Sequence, residues 1–199
     1  MEFIIKQKID LIAECICVRV HKQRKECFGL YSEEFGMLLF LLHYSRFSKN
    51  EKYILLTEYY TDKLLGLFAN GTNLHTFSSG FSGILYLFEF LYENKFLDID
   101  TSDIQPLLDN YLVSKMRQDI RQQNYDFMHG ALGVGFCFLK RKTKYEYVQE
   151  LVDFLYCTAE KDCNNRIFKW KSIVDIETNI IGYNFSLSHG ISSIIIFLS

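Results

Sequence analysis

An all-α fold of repeated helical hairpins is predicted by three features of the sequence: a recurring motif, two alternating kinds of helix, and few helix breakers. The motif is clearest at Tyr125-Asp126-Phe127-Met128-His129-Gly130-Ala131-Leu132-Gly133, where polar and ionisable residues lead into small residues and then an apolar run. Ser79-Gly80-Phe81-Ser82-Gly83 and Ser188-His189-Gly190-Ile191-Ser192-Ser193 follow the same plan. Glu34-Phe35-Gly36-Met37 is a weaker copy that lacks the first small residue. Aligning the second small position gives Gly36, Gly83, Gly133 and Ser193, spaced 47, 50 and 60 residues apart. A period of roughly 50 residues is the mark of a repeat architecture. One proline and 11 glycines in 199 residues leave the helices largely uninterrupted.

Taken in order, residues 3–22 read as an amphipathic helix, with Phe3, Ile4, Ile9, Ile12, Ile16 and Val20 near helical spacing. A basic and polar stretch, 21–26, follows it. The second helix, from about Ser32 to Tyr44, is apolar on nearly all sides after Gly36. From Asn50 to Phe68 the pattern turns amphipathic again, with Tyr53, Ile54, Leu56, Tyr60, Leu64, Leu65 and Phe68 facing inward. Ala69-Asn70-Gly71-Thr72-Asn73 is a turn signal. Gly80 to Tyr92 is an all-apolar helix. Ser102 or Asp103 caps an amphipathic helix over Ile104–Ile120, where Pro106 is tolerated in the first turn. Gly130 to Leu139 is apolar and closes on Lys140-Arg141-Lys142, cations that suit a helix C-terminus. Tyr145 to Ala159 is amphipathic. Residues 160–187 read as loop, with a short extended stretch around Arg166 to Trp170, and a fourth apolar helix starts after Ser188.

Amphipathic helices show water one face, whereas helices apolar all round are sandwiched between neighbours. Alternation of the two kinds builds either a solenoid or a closed α/α toroid, in which the inner helices line a central cavity. Gly36, Gly80, Gly83, Gly130, Gly133 and Gly190 are then the residues that let crowded helix ends approach, as cavity-lining or structural glycines. Simple loop punctuation is the plainer alternative.

Bulk composition excludes several classes. Hydrophobic content of 49% with 23% charged residues is that of a globular chain. A net charge of −2 gives no electrostatic case for nucleic acid or an anionic membrane. The six cysteines (Cys15, Cys17, Cys27, Cys137, Cys157 and Cys163) form no Cys-x-x-Cys or Cys-His pair, and most fall in predicted helices as small hydrophobes. The start, Met1-Glu2-Phe3-Ile4-Ile5-Lys6, has no secretory pattern, and no segment reaches the ~18 apolar residues of a membrane span. A cytoplasmic, thiol-reduced protein is expected. Because the last apolar run stops at Ile194-Ile195-Ile196-Phe197-Leu198-Ser199, residues 1–199 are expected to be a single domain truncated at its C-terminus.

Tyr125-Asp126-x-x-x-Gly130-x-x-Gly133 and Ser188-His189-Gly190, in this order within helical-hairpin repeats, resemble the lanthionine synthetase C-like (LanC-like) cyclases. The resemblance spans the whole chain at the level of the repeats. It implies a seven-hairpin α/α toroid, of which four inner helices are present, so the fold expected is an incomplete toroid. It also implies zinc and the addition of a peptide cysteine thiolate to dehydroalanine or dehydrobutyrine, closing a thioether ring. The catalytic aspartate of the family falls on Asp126 and its active-site histidine on His189. On local grounds alone, His189 reads first as a histidine hydrogen-bonded at a helix start. Asp126 reads equally as a capping carboxylate. His129 occupies the slot before Gly130 as His189 does before Gly190, with no role carried over from the family. Nothing matches the family's two cysteine ligands and histidine ligand, so no metal site is expected in this chain, although zinc is expected of the full-length family.

The partners implied are a ribosomally synthesised precursor peptide and, beside it, a dehydratase or a complementary C-terminal fragment. One reading is therefore the N-terminal half of a lanthionine cyclase, inactive by itself. Another is a non-catalytic helical-repeat scaffold or remnant that binds peptide. A glycosidase of toroid fold would need paired carboxylates at the cavity mouth, where only Asp126 is well placed.

Overall fold

A computed structural model describes residues 2–21, 29–70, 74–98, 105–164, 166–175, 178 and 180–199. The fold is all-α: among the described residues there are eight helices, and strands of two to four residues only. The expected polar exit at 22–26, Cys27, the turn at 71–73 and the cap at Ser102 or Asp103 lie outside the described residues, as does the side chain of Phe68. The chain forms two compact units, Met1–Asn73 and Leu74–Ser199.

The first unit contains α1 (Glu2–Val20), α2 (Glu33–Ser48) and α3 (Glu51–Asn70). Ser32 starts α2, its hydroxyl accepting the Phe35 N–H at 3.4 Å. The helix ends at Lys49, whose left-handed backbone (φ 52°) returns its N–H to the Ser45 carbonyl. Ala13, Tyr44 and Tyr53 form a small core with Ile9, Cys17, Phe40 and Leu56 around it. The two tyrosine rings meet edge to face at 4.7 Å, and the Tyr44 hydroxyl donates to Asp10 Oδ1 at 2.8 Å.

Two expectations fail here. Phe3 and Ile4 are 71% and 58% exposed, and Ile12 is exposed too. The inward stripe of α1 is Ile9, Ala13, Ile16 and Val20, and at 100° per residue Phe3 and Ile4 lie more than about 100° round from it. On α3, Tyr53, Tyr60 and Leu64 are buried as expected but Ile54 is exposed. Thr57 and Thr61 take inward places instead, since their hydroxyls donate to the Tyr53 and Thr57 carbonyls at 2.6 and 2.8 Å. Gly36 is a third difference. It is exposed in the first turn of α2, and a Cβ there would meet nothing within 4 Å. No neighbour requires a glycine at that position.

The second unit is organised around α6 (Ala131–Lys140), which packs against α4 (Phe81–Glu93), α5 (Gln105–Arg121), α7 (Tyr145–Thr158) and α8 (Ile191–Leu198). Such a helix must be apolar all round, and from Ala131 to Phe138 every residue except Phe136 is buried. Close approach needs missing side chains. A Cβ on Gly133 would fall 2.5 Å from the Phe127 carbonyl oxygen, and one on Gly135 would fall 2.7 Å from Leu151 and Phe197. The α5–α6 contact also holds a buried ion pair, Arg141 Nη1 to Asp109 Oδ1 at 2.6 Å, with the side chains 4% and 7% exposed.

Residues 160–187, expected as loop, carry two small antiparallel ribbons. The first pairs β1 (Glu160–Lys161) with β2 (Phe168–Lys169), of which β2 falls in the extended stretch expected around 166–170. The second pairs β3 (Ser172–Asp175) with β4 (Ile180–Gly182), with an irregularity between Ile173 and Asp175. Ile173, Val174, Ile180 and Ile181 are all exposed, so no alternation of burial marks these strands in the sequence. Trp170 ties the region down, its indole N–H donating to the Leu155 carbonyl at 2.8 Å.

Removing one partner of a buried ion pair leaves the other charge without compensation. Asp109→Ala should therefore cost about 3–5 kcal/mol, measured as a lower urea midpoint. A loss below about 1 kcal/mol would mean that water reaches the Arg141 guanidinium.

Candidate active site

Three loops of one design precede α4, α6 and α8. Each runs six residues, 74–79, 124–129 and 184–189, into an N-cap glycine with extended backbone: Gly80, Gly130 and Gly190. The first N–H of each helix returns to the carbonyl that opens its loop: Phe81 to Leu74 at 3.1 Å, Ala131 to Asn124 at 3.0 Å, and Ile191 to Asn184 at 2.7 Å. This satisfies a donor that a helix start otherwise leaves orphaned. The same bend brings the glycine onto that carbonyl. A Cβ would lie 2.5 Å from Leu74 O at Gly80, 2.7 Å from Asn124 O at Gly130 and 2.0 Å from Asn184 O at Gly190. Any side chain there forces the loop open.

Within each loop the third residue accepts the N–H of the sixth. Thr76 Oγ1 accepts from Ser79 at 3.3 Å, Asp126 Oδ1 from His129 at 2.7 Å, and Ser186 Oγ from His189 at 3.1 Å. A hydroxyl therefore suffices for this turn. Asp126 supplies more than the turn requires: its second oxygen, Oδ2, lies 2.7 Å from Nδ1 of His189, 63 positions further along the chain. A carboxylate accepts and does not donate, so it holds the proton of that imidazole on Nδ1 and leaves Nε2 as the free ring nitrogen. The pair is reachable from solvent, with side chains 22% and 45% exposed.

His129 adjoins the pair. Its ring stacks on that of His189 at a centroid distance of 5.7 Å and an interplanar angle of 18°. Its Nδ1 is 3.1 Å from the Ser78 hydroxyl, which is in turn 3.2 Å from the Ser79 hydroxyl. The Ser78 N–H donates to the Met128 carbonyl at 3.1 Å, joining the first loop to the second.

Behind the second loop stands a more buried set. Asp119, near the end of α5, places Oδ2 2.7 Å from His75 Nε2 and Oδ1 3.2 Å from Asn124 Nδ2. Asn124 also donates to the His129 carbonyl at 3.3 Å and accepts the Asp126 N–H at 3.3 Å. It thus braces both residues of the loop that matter. Asn184 does the same for Ser186, at 2.8 Å. Tyr125 is packed under the loop, its ring 6.5 Å from Phe154, and burial, with Glu160 adding to it, pushes its hydroxyl up to about 12. Burial likewise pushes the Cys137 thiol up to about 12, which leaves it an inert core side chain.

The structure thus brings Asp126 and His189 together and sets Gly80, Gly130 and Gly190 at the helix starts beside them. Gly83 is buried in α4 and Gly133 in α6. Ser193, where a second glycine was aligned, is buried with its hydroxyl donating to the Gly190 carbonyl at 2.7 Å. Sequence reasoning missed Ser78, Asn124, Asp119 and the contacts of His129. The asparagine six positions before Gly130 and again before Gly190 was the available signal. Zinc is the metal that LanC-like proteins generally bind. Among the described residues no group of three or more His, Cys, Asp or Glu side chains could hold a metal ion. The described residues therefore do not fit a catalytic zinc site.

Helices that start from three loops of one design, two of them joined by an acid–imidazole pair, define a helical-repeat protein. The chain belongs to the lanthionine synthetase C-like family: the model of that family, described as lanthionine synthetase C-like protein, matches residues 27–199. The family is an α/α toroid, in keeping with the all-α fold. Comparison with curated proteins gives no match. Among the described residues, no helix is long and apolar enough to cross a membrane.

Because a serine can hold the turn, Asp126→Ser should change stability by less than about 1 kcal/mol, whereas Asp126→Ala loses the cap and should cost about 1–2 kcal/mol. Chemical denaturation checks this. Equal losses in the two variants would show that a hydroxyl at 126 does not replace the carboxylate as acceptor of that turn.

Proposed function

We propose that the chain supplies the acid–base half of a lanthionine cyclase acting on a ribosomally synthesised peptide. The supporting observation is the 2.7 Å contact between Asp126 and His189, in a loop where a hydroxyl would serve for structure alone. Ring closure requires a cysteine thiol to lose its proton, its sulfur to bond the β-carbon of a dehydroamino acid, and the resulting enolate to take a proton at the α-carbon. Asp126 positions the imidazole and keeps a proton on its Nδ1. His189 Nε2, the ring nitrogen left free, carries the proton between sulfur and carbon. Family membership supports this at the level of the cyclase relationship, and the open site suits a peptide.

On this reading a dehydratase prepares the peptide before it arrives. Because the described residues do not fit zinc, the metal would come with a complementary segment carrying the family's Cys and His ligands. Such an enzyme works where peptides are made, in the cytoplasm.

The experiment mixes the chain, zinc and that segment with a dehydrated peptide carrying one free cysteine, and counts free thiols by alkylation and mass. Thioether formation should fall by about 10²–10⁴-fold in His189→Ala. Peptide binding with no ring formation by the unmutated protein would leave a peptide-binding scaffold as the better reading.

A further inference from the structure

His129 and His189 stack on one another, yet their Nδ1 atoms face partners of different hydrogen-bonding capacity, a carboxylate that only accepts and a hydroxyl that can also donate. His189 Nδ1 meets the Asp126 carboxylate at 2.7 Å, and His129 Nδ1 meets the Ser78 hydroxyl at 3.1 Å. A carboxylate must receive a proton from the ring. A hydroxyl can give one, and an imidazole nitrogen is a stronger acceptor than a second hydroxyl oxygen such as that of Ser79. We propose that Ser78 holds neutral His129 with its proton on Nε2, so that the site presents one imidazole nitrogen that accepts and one that donates. The repeat explains how two rings come to be there: positions 79, 129 and 189 are the same slot in three loops, occupied by Ser, His and His.

The assignment gives His129 a catalytic role, which rests on the cyclase reading above. His189 Nε2 takes the thiol proton. The sulfur bonds to the β-carbon as the carbon–carbon π pair moves toward the carbonyl, giving an enolate. His129 Nε2–H donates a hydrogen bond to the enolate oxygen without losing its proton. The imidazolium of His189 then returns its proton to the α-carbon, so both rings end as they began. A neutral imidazole is suited to this, because it donates to a developing oxyanion without adding a second positive charge beside His189. Ser78 acts through His129 and is a positioning residue.

The test has a part that needs no turnover. With ¹⁵N-labelled histidine in the full chain, at a pH where both rings are neutral, long-range ¹H–¹⁵N spectra report the tautomers, assigned with His129→Gln and His189→Gln. The expected result is Nε2–H for His129 and Nδ1–H for His189, with the His129 preference weakened in Ser78→Ala. Nδ1–H at His129, or a preference unmoved in Ser78→Ala, overturns the proposal whether or not the protein is a cyclase. In the ring-closing assay, His129→Phe should lower kcat by about 10²–10³-fold with KM little changed. His129→Gln, which keeps an N–H donor, should recover part of that loss. Equal kcat for His129→Phe and the unmutated protein removes the catalytic role even if the tautomers are as expected. Absence of ring formation in the unmutated protein counts against the cyclase reading and with it the role of His129 at the enolate, while the tautomer result stands by itself.

Discussion

At the start of each inner helix in the second unit, one carbonyl oxygen satisfies the first helical N–H and at the same time lies against the N-cap residue. That double contact is the constraint on which the rest of the site depends. Gly80, Gly130 and Gly190 are glycines because Leu74, Asn124 and Asn184 put a backbone oxygen where a Cβ would stand. Their φ angles, between −136° and −145°, are ones any residue adopts, so space and not conformation excludes a side chain. A loop closed in this way has one geometry. Repeating it three times repeats the position of the residue before the glycine, and a polar cluster forms from residues far apart in sequence.

Turn and chemistry can then be separated. Thr76 and Ser186 show what the third loop position needs for structure, a single acceptor for an N–H three residues on. Asp126 meets that need with one oxygen and spends the other on His189. The His75–Asp119–Asn124 network stands behind this loop and ties it to the first. A loop whose carboxylate must hold a ring across a gap between hairpins needs its own backbone fixed, and Asn124 fixes Asp126 by its N–H and His129 by its carbonyl. Stability and site geometry are therefore coupled through α5, where Asp119 sits.

Most helices were legible because alternation of apolar and polar residues at helical spacing reports burial directly. Where the signal failed, a physical reason can be named. The stripe of α1 turns on Ala13, a residue too small to register as an anchor, while large Phe3 and Ile4 face water. Gly36 resembled the other glycines because any apolar helix with a small residue in its first turn fits the pattern, yet α2 starts on a serine cap. The β3–β4 ribbon escaped notice because its apolar residues are exposed. Asp126 and His189 could be singled out only through the family resemblance, since 63 intervening residues carry no local trace of their contact. The stacking of His129 on His189 has no signature in the chain beyond the shared slot.

Beneath the loops lies a row of aromatic rings. Tyr86 and Phe77 meet at 5.2 Å, Phe77 and Phe127 at 4.6 Å, Phe127 and Phe136 at 4.8 Å, and Phe136 and Phe197 at 5.3 Å. Phe77 and Phe127 each follow the turn acceptor of their loop, Thr76 and Asp126, so the loops are spaced by the thickness of ring contacts. Gly133 completes the arrangement. Its missing Cβ would stand 2.7 Å from the Phe77 Cβ and 2.5 Å from the Phe127 carbonyl, so α6 can lie against both loops at once. A side chain at 133 would push these two loops apart, and Ser78 and His129 above them are joined by a contact of 3.1 Å that tolerates little displacement. The second glycine of the motif thus acts at a distance from the chemistry. It sets how closely the first two loops meet, and through that whether the Ser78 hydroxyl reaches the His129 ring.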